Sequence, residues 1–152
     1  MLSDDVYRTR FRAVVSEIEA WLETLRPVAL VEVGRDEASW RASVDPHVPE
    51  ACPFELMLRV DQRFDLTVGP ETYEDQVIAS LDIFVPLLKA IVAGRVVTRQ
   101  HTTTATGTLT KIETIISLND SAPWVGVRPL IARPPEAGVH RDQHYVPYAR
   151  GA

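Results

Sequence analysis

Residues 54–68 read FELMLRVDQRFDLTV, and the alternation in this stretch decides the fold. Phe54, Leu56, Leu58 and Val60 fall on one side of an extended chain, opposite Glu55, Met57, Arg59 and Asp61. After a short gap Phe64, Leu66 and Val68 repeat the pattern against Arg63, Asp65 and Thr67. Two alternating runs so close together predict an antiparallel hairpin with one apolar and one wet face. An apolar sheet face must be covered, and the covers are expected on either side of the hairpin in sequence.

Upstream, Phe11, Val14, Val15, Ile18, Trp21, Leu22 and Leu25 recur at helical spacing, with Arg8, Arg12, Glu19 and Glu23 on the other side. Ser3 or Asp4 can cap this helix, and Pro27 ends it. Residues 28–33 are apolar on both faces, as in a central strand, and Trp40, Ala42 and Val44 alternate as a second strand. Downstream, Gly69-Pro70 breaks the hairpin. A second helix is then expected, with Val77, Ile78, Leu81, Phe84, Val85, Leu88, Ile91 and Val92 as its buried stripe. Pro86 inside that stripe means a kink or a later start. Residues 95–120 read as a second hairpin turning near Ala105-Thr106-Gly107.

The expected fold is therefore α+β. It is a single two-layer domain over 1–127, an antiparallel sheet of about five to seven strands with two amphipathic helices on one face. The expected order is α-β-β-β-β-α-β-β, with a further short strand near Trp124 to Val127. Residues 128–152 read as an extended, proline-punctuated C-terminal arm.

Sixteen basic and 21 acidic residues give a net charge of -5. The arm carries four arginines against two acids, a mildly basic tail on an acidic body. Such a body repels nucleic acid, and aromatic residues are not interleaved with basic ones as on a single-strand platform. The lone Cys52 suits a reducing compartment. The acidic start MLSDDVYRTRF lacks a secretory pattern, and no apolar run reaches a membrane span, so a cytoplasmic location is expected.

The arm ends HRDQHYVPYARGA. In an extended chain His140, Asp142 and His144 would share one face, and two imidazoles with a carboxylate are a common metal ligand set. The other histidines, His47 and His101, lie in a loop and in a threonine-rich strand and are not obvious recruits. The threonines at 102, 103, 104, 106, 108 and 110 fit a hairpin that uses their β-propensity. Cys52 has only His47 nearby in sequence as a base. Asp61, Asp65, Glu71, Glu74 and Asp75 read as a solvated rim. No G-x-S-x-G elbow, H-E-x-x-H or glycine-rich phosphate loop occurs, so no catalytic residue and no cofactor is expected.

The run FDLTVG, followed by LLKAIVAGRVV and a hairpin, resembles small bacterial α+β proteins whose second helix closes with an A-G-R-V-type ending. The resemblance spans the middle third of the chain and implies a bacterial origin and a sheet-plus-helix fold, without an activity. The small acidic chaperones of bacterial secretion systems are similar in size and charge. The leading expectation is a non-enzymatic, adaptor- or chaperone-like protein that binds another protein and forms a homodimer. Trp124, Val127, Leu130, Tyr145 and Tyr148 would anchor its arm. The alternative is a small-molecule or metal-binding protein, with hydrolase-type chemistry at His140, Asp142 and His144.

Overall fold

The computed structural model describes residues 2–131 and 138–149. The fold is α+β: two helices and nine strands, the strands forming two antiparallel sheets among the described residues. Helix α1 (Asp4–Glu23) begins at Ser3, whose extended backbone fits an N-cap although its hydroxyl makes no capping bond. It buries Val14, Val15, Ile18 and Leu22, the expected stripe, together with Tyr7. Five strands follow as a simple meander: β1 (Ala29–Arg35), β2 (Ser39–Pro46), β3 (Phe54–Arg59), β4 (Arg63–Val68) and β5 (Glu71–Val77). The opening hairpin is β3–β4, paired in register from Phe54↔Val68 to Leu58↔Phe64. Its turn is closed by Gln62 in the left-handed region.

Two expectations about this sheet are corrected. Residues 28–33 do not form a central strand: β1 is the sheet edge, with Leu30 and Val33 exposed at 58% and 41%. The run after Gly69-Pro70 is not helical. Gly69, at φ +57°, turns the chain straight back, and β5 pairs with β4. A single 3-10 turn (Leu81–Ile83) then leads into helix α2 (Phe84–Val92). Pro86 is thus in the first helical turn, where backbone N–H groups have no intrahelical acceptor and the missing donor is not felt.

The second sheet comprises β6 (Val96–Thr103), β7 (Leu109–Ile116), β8 (Trp124–Pro129) and β9 (Gly138–His144), in the order β8-β7-β6-β9. The expected single layer is instead two sheets, because no strand of β1–β5 pairs with one of β6–β9 among the described residues, and the arm adds a fourth strand to the second. Part of the arm, residues 132–137 and 150–152, lies outside the described residues.

One core joins both helices to the inner face of the first sheet, with Trp40, Leu56, Leu58, Leu66, Leu87 and Ile91 fully enclosed. From the second sheet it takes Val96 and Ile116, with Trp124 packed against it. Polar contacts also tie the sheets together across β5. The Tyr73 hydroxyl shares a 2.7 Å hydrogen bond with Thr114 Oγ1, and buried Glu71 accepts 2.6 and 3.0 Å bonds from the Arg128 guanidinium. The pair satisfies a carboxylate that burial would otherwise penalise heavily.

Residues 145–149 act as a strap. Tyr148 is buried, donates to the Cys52 carbonyl through its hydroxyl and to Val92 O through its N–H. Val146 N–H donates to Glu50 O at 3.2 Å. Gly94 ends α2 at φ +79°, where a Cβ would sit 2.8 Å from both Val146 C and Pro147 N. Only glycine lets the strap pass so close to the helix end. No described helix is long and apolar enough to cross a membrane.

Candidate functional site

Alternation along a strand sends neighbouring side chains to opposite faces, so a sheet covered on one side presents a whole set of residues on the other. On the second sheet the face turned to the core carries Val96, Thr98, Ile112, Thr114 and Ile116, all buried. The opposite face contributes nothing to the core. The register of β8, β7, β6 and β9 arranges it in three rows. The first is Val125, Ile115, Val97 and His144. The second is Val127, Glu113, Arg99 and Asp142. The third is Pro129, Lys111, His101 and His140.

The chemistry changes from row to row. In the first, three aliphatic side chains stand side by side, Val125 at 45% exposure, and Val127 extends them at 47%. In the second, Arg99 makes a bidentate pair with Asp142 across β6–β9, 2.8 and 3.0 Å. Such fork-to-fork pairing is the stronger class of ion pair. The guanidinium holds the Asp142 carboxyl below the usual aspartate value, with His140 and His144 contributing weakly in the same direction. In the third row His101 and His140 are direct cross-strand partners, with ring centroids 5.8 Å apart. His101 Nε2 is hydrogen-bonded to Glu113 Oε1, and Lys111 Nζ stands 3.8 Å from the same oxygen.

The sequence-derived site residues divide on this frame. His140, Asp142 and His144 do share one face of β9. They do not converge: at the strand rise, His140 and His144 are about 13 Å apart, and the Asp142 oxygens are taken by Arg99. Among the described residues no group of three His, Cys, Asp or Glu side chains is placed to hold a metal ion. Of the apolar anchors, Val127 lies on the open face and Leu130 just beyond β8, both exposed. Trp124 is half-buried edge-to-face against Tyr73. Tyr145 is half-buried beside Thr98, its hydroxyl 3.3 Å from Thr98 Oγ1. Tyr148 is spent on the chain's own core.

His101, which the sequence reading set aside, is brought opposite His140 by a β6–β9 pairing that spans nearly forty residues. The alternation of Arg99 and His101 was visible, but the partner strand was not. Glu71 was grouped with a solvated rim and is instead buried against Arg128. Asp61, Asp65 and Asp75 do lie at the surface, gathered around Arg59.

Nucleophilic chemistry finds no support at Cys52. The thiol is fully buried, donates to Pro53 O, and burial pushes its pKa up to about 12. A thiolate is the reactive form, and it is scarce here at neutral pH. The threonine cluster closes the β6–β7 turn: the Thr106 hydroxyl lies 2.7 Å from those of Thr103 and Thr108. A cavity of about 650 Å³ is an open groove along α1 lined by Phe11, Val15, Glu19, Arg35 and neighbouring residues. Within it Glu19 already binds Trp40 Nε1 and Arg35. Comparison with protein-family models, with curated proteins and with solved structures returns no match for this chain, which leaves the geometry of the open sheet face to carry the functional assignment.

Proposed function

We propose that the chain is a bacterial, cytoplasmic, non-enzymatic protein-binding module that pairs with a second copy of itself through the open face of the second sheet. The observation that carries this reading is the aliphatic group Val125, Ile115, Val97 and Val127 on the open face, with Val125 and Val127 exposed, beside the Arg99–Asp142 pair. Interfaces have this anatomy, an apolar centre with a polar rim. Charge supports a self-complementary pairing. Arg99 and Lys111 balance Glu113 and Asp142, so this face is neutral on a chain of net charge -5. Two acidic bodies repel least where neither carries excess charge. Both signs in one row also let a two-fold-related copy match opposite charges.

Light scattering coupled to size exclusion tests the reading at micromolar protein. The wild type is expected to elute as a dimer and Val127→Asp as a monomer. Val127 is exposed, so the melting temperature of the variant should stay within a few degrees of wild type. A monomeric wild type across the accessible concentration range sinks the proposal.

A second reading, ligand binding rather than partner binding, is favoured by one observation on the same face, the paired imidazoles of the third row.

A further inference from the structure

We propose that His101 and His140 together bind one divalent transition-metal ion of the Zn²⁺, Ni²⁺ or Cu²⁺ class. Glu113 acts as the positioning residue that fixes the ligating form of His101. The two imidazoles project from directly opposed positions on antiparallel neighbours, β6 and β9, toward the same side of the sheet. A metal–nitrogen bond of about 2.0–2.1 Å puts each ring centroid about 3 Å from the ion. Two rings sharing that ion therefore have centroids about 5–6 Å apart. The 5.8 Å separation of His101 and His140 already satisfies this, and the rings are tilted 50° from one another. Binding thus asks for side-chain rotation and leaves the backbone ladder alone.

Glu113 supplies the second element. An ionised carboxylate can only accept, so the His101 nitrogen facing it, Nε2, carries the proton. The lone pair is then on Nδ1. Metal-bound histidines are commonly held this way, one nitrogen on the ion and the other donating to a carboxylate. The remaining charged neighbours are accounted for. Asp142 is held by Arg99, and Lys111 sits against Glu113. His144 is four residues, two rows of this face, further along β9. With two protein ligands and an open face, water fills the other coordination positions, so the site is labile and its affinity modest. One chain suffices, and the site does not depend on self-association.

The test is calorimetric titration of untagged protein with ZnCl₂ and NiCl₂ at pH 7.5. It is paired with ¹⁵N-detected imidazole resonances of the full chain. The expected result is one ion per chain, with the His101 and His140 ring signals shifting and those of His47 and His144 unmoved. His101→Ala and His140→Ala should each abolish saturable binding. Glu113→Gln should weaken it about tenfold or more, while His144→Ala and Val127→Asp should leave it unchanged. Absence of 1:1 binding by the wild type, or binding that survives His101→Ala, overturns the proposal. So does a wild-type titration in which the His144 ring shifts and the His101 ring does not, a readout that needs no variant to fold.

Discussion

At the level of single residues, Cys52 and Tyr148 illustrate how distant parts of the chain set chemistry. The thiol is enclosed by a strap that arrives almost a hundred residues later, and its pKa is raised to about 12 by burial. A group whose pKa is raised on folding stabilises the native state below its unfolded value, about 8.5 for cysteine. That contribution is lost as pH climbs from there toward 12. Burial raises Tyr7 to about 12 as well and moves Tyr148 the same way, so the phenols add to the loss above pH 10. Urea midpoints should accordingly fall between pH 8.5 and 11, and Cys52→Ala should flatten the first part of that fall. Asp142 runs the other way. Arg99 depresses its pKa, so its contribution is present above the ordinary aspartate value and lost as acid titrates it. Removing the Tyr148 hydroxyl strands the buried Cys52 carbonyl, and Tyr148→Phe should cost about 1–3 kcal/mol in denaturant unfolding. The meeting of these two residues was not legible in the sequence, where Cys52 was a loop residue beside Pro53 and Tyr148 an anchor of the arm in its self-association. Burial depends on which segments meet, and local pattern does not say.

Elements were more legible where their period was uncontested. Helix α1, the β3–β4 hairpin and the β6–β7 hairpin each present one clean repeat, and each stands where the alternation or the 3.6-residue spacing placed it. Strand β5 was obscured because Val77, Ile78, Leu81 and Phe84 happen to fit a helix. The turn at Gly69 overrode that fit by returning the chain to β4 while Thr72, Glu74 and Gln76 still faced water. Strand β9 offered no signal at all, since its exposed residues Val139, Arg141 and Gln143 alternate with ionisable ones rather than with apolar ones. Two glycines show how tightly these elements are fitted. A Cβ at Gly126 would come within 2.6 Å of Tyr73 and 2.8 Å of Trp124. Gly126→Ala should therefore destabilise by about 1–3 kcal/mol through overpacking at the junction of the sheets. Gly94→Ala meets backbone rather than side chain and strains a left-handed residue too. Its loss in urea stability should be at least as large, with proteolysis of residues 145–149 rising in parallel.

For the whole molecule, the decisive feature is that residues 138–149 complete the second sheet and then lock the core. Cutting the chain after Ile131 would strip β9 from β6, open the space filled by Tyr148 and release Gly94 from its neighbours. The truncated protein is expected to melt well below wild type and to aggregate through the uncovered β6 edge, measurable by differential scanning fluorimetry and light scattering. The sequence conveyed the α+β class because both one-sided helices demanded an apolar layer. It did not convey the second sheet's fourth strand, because long-range pairing leaves no local trace. The β6–β9 pairing also orders events in time. During synthesis the meander and its helices can assemble as they emerge, but β6 must wait with a bare flank until the strand that protects it has been made. A nascent chain stalled in that interval displays a sticky border to every neighbour on the same message. Slower synthesis between β6 and β9 is therefore expected to raise the aggregated fraction of the product.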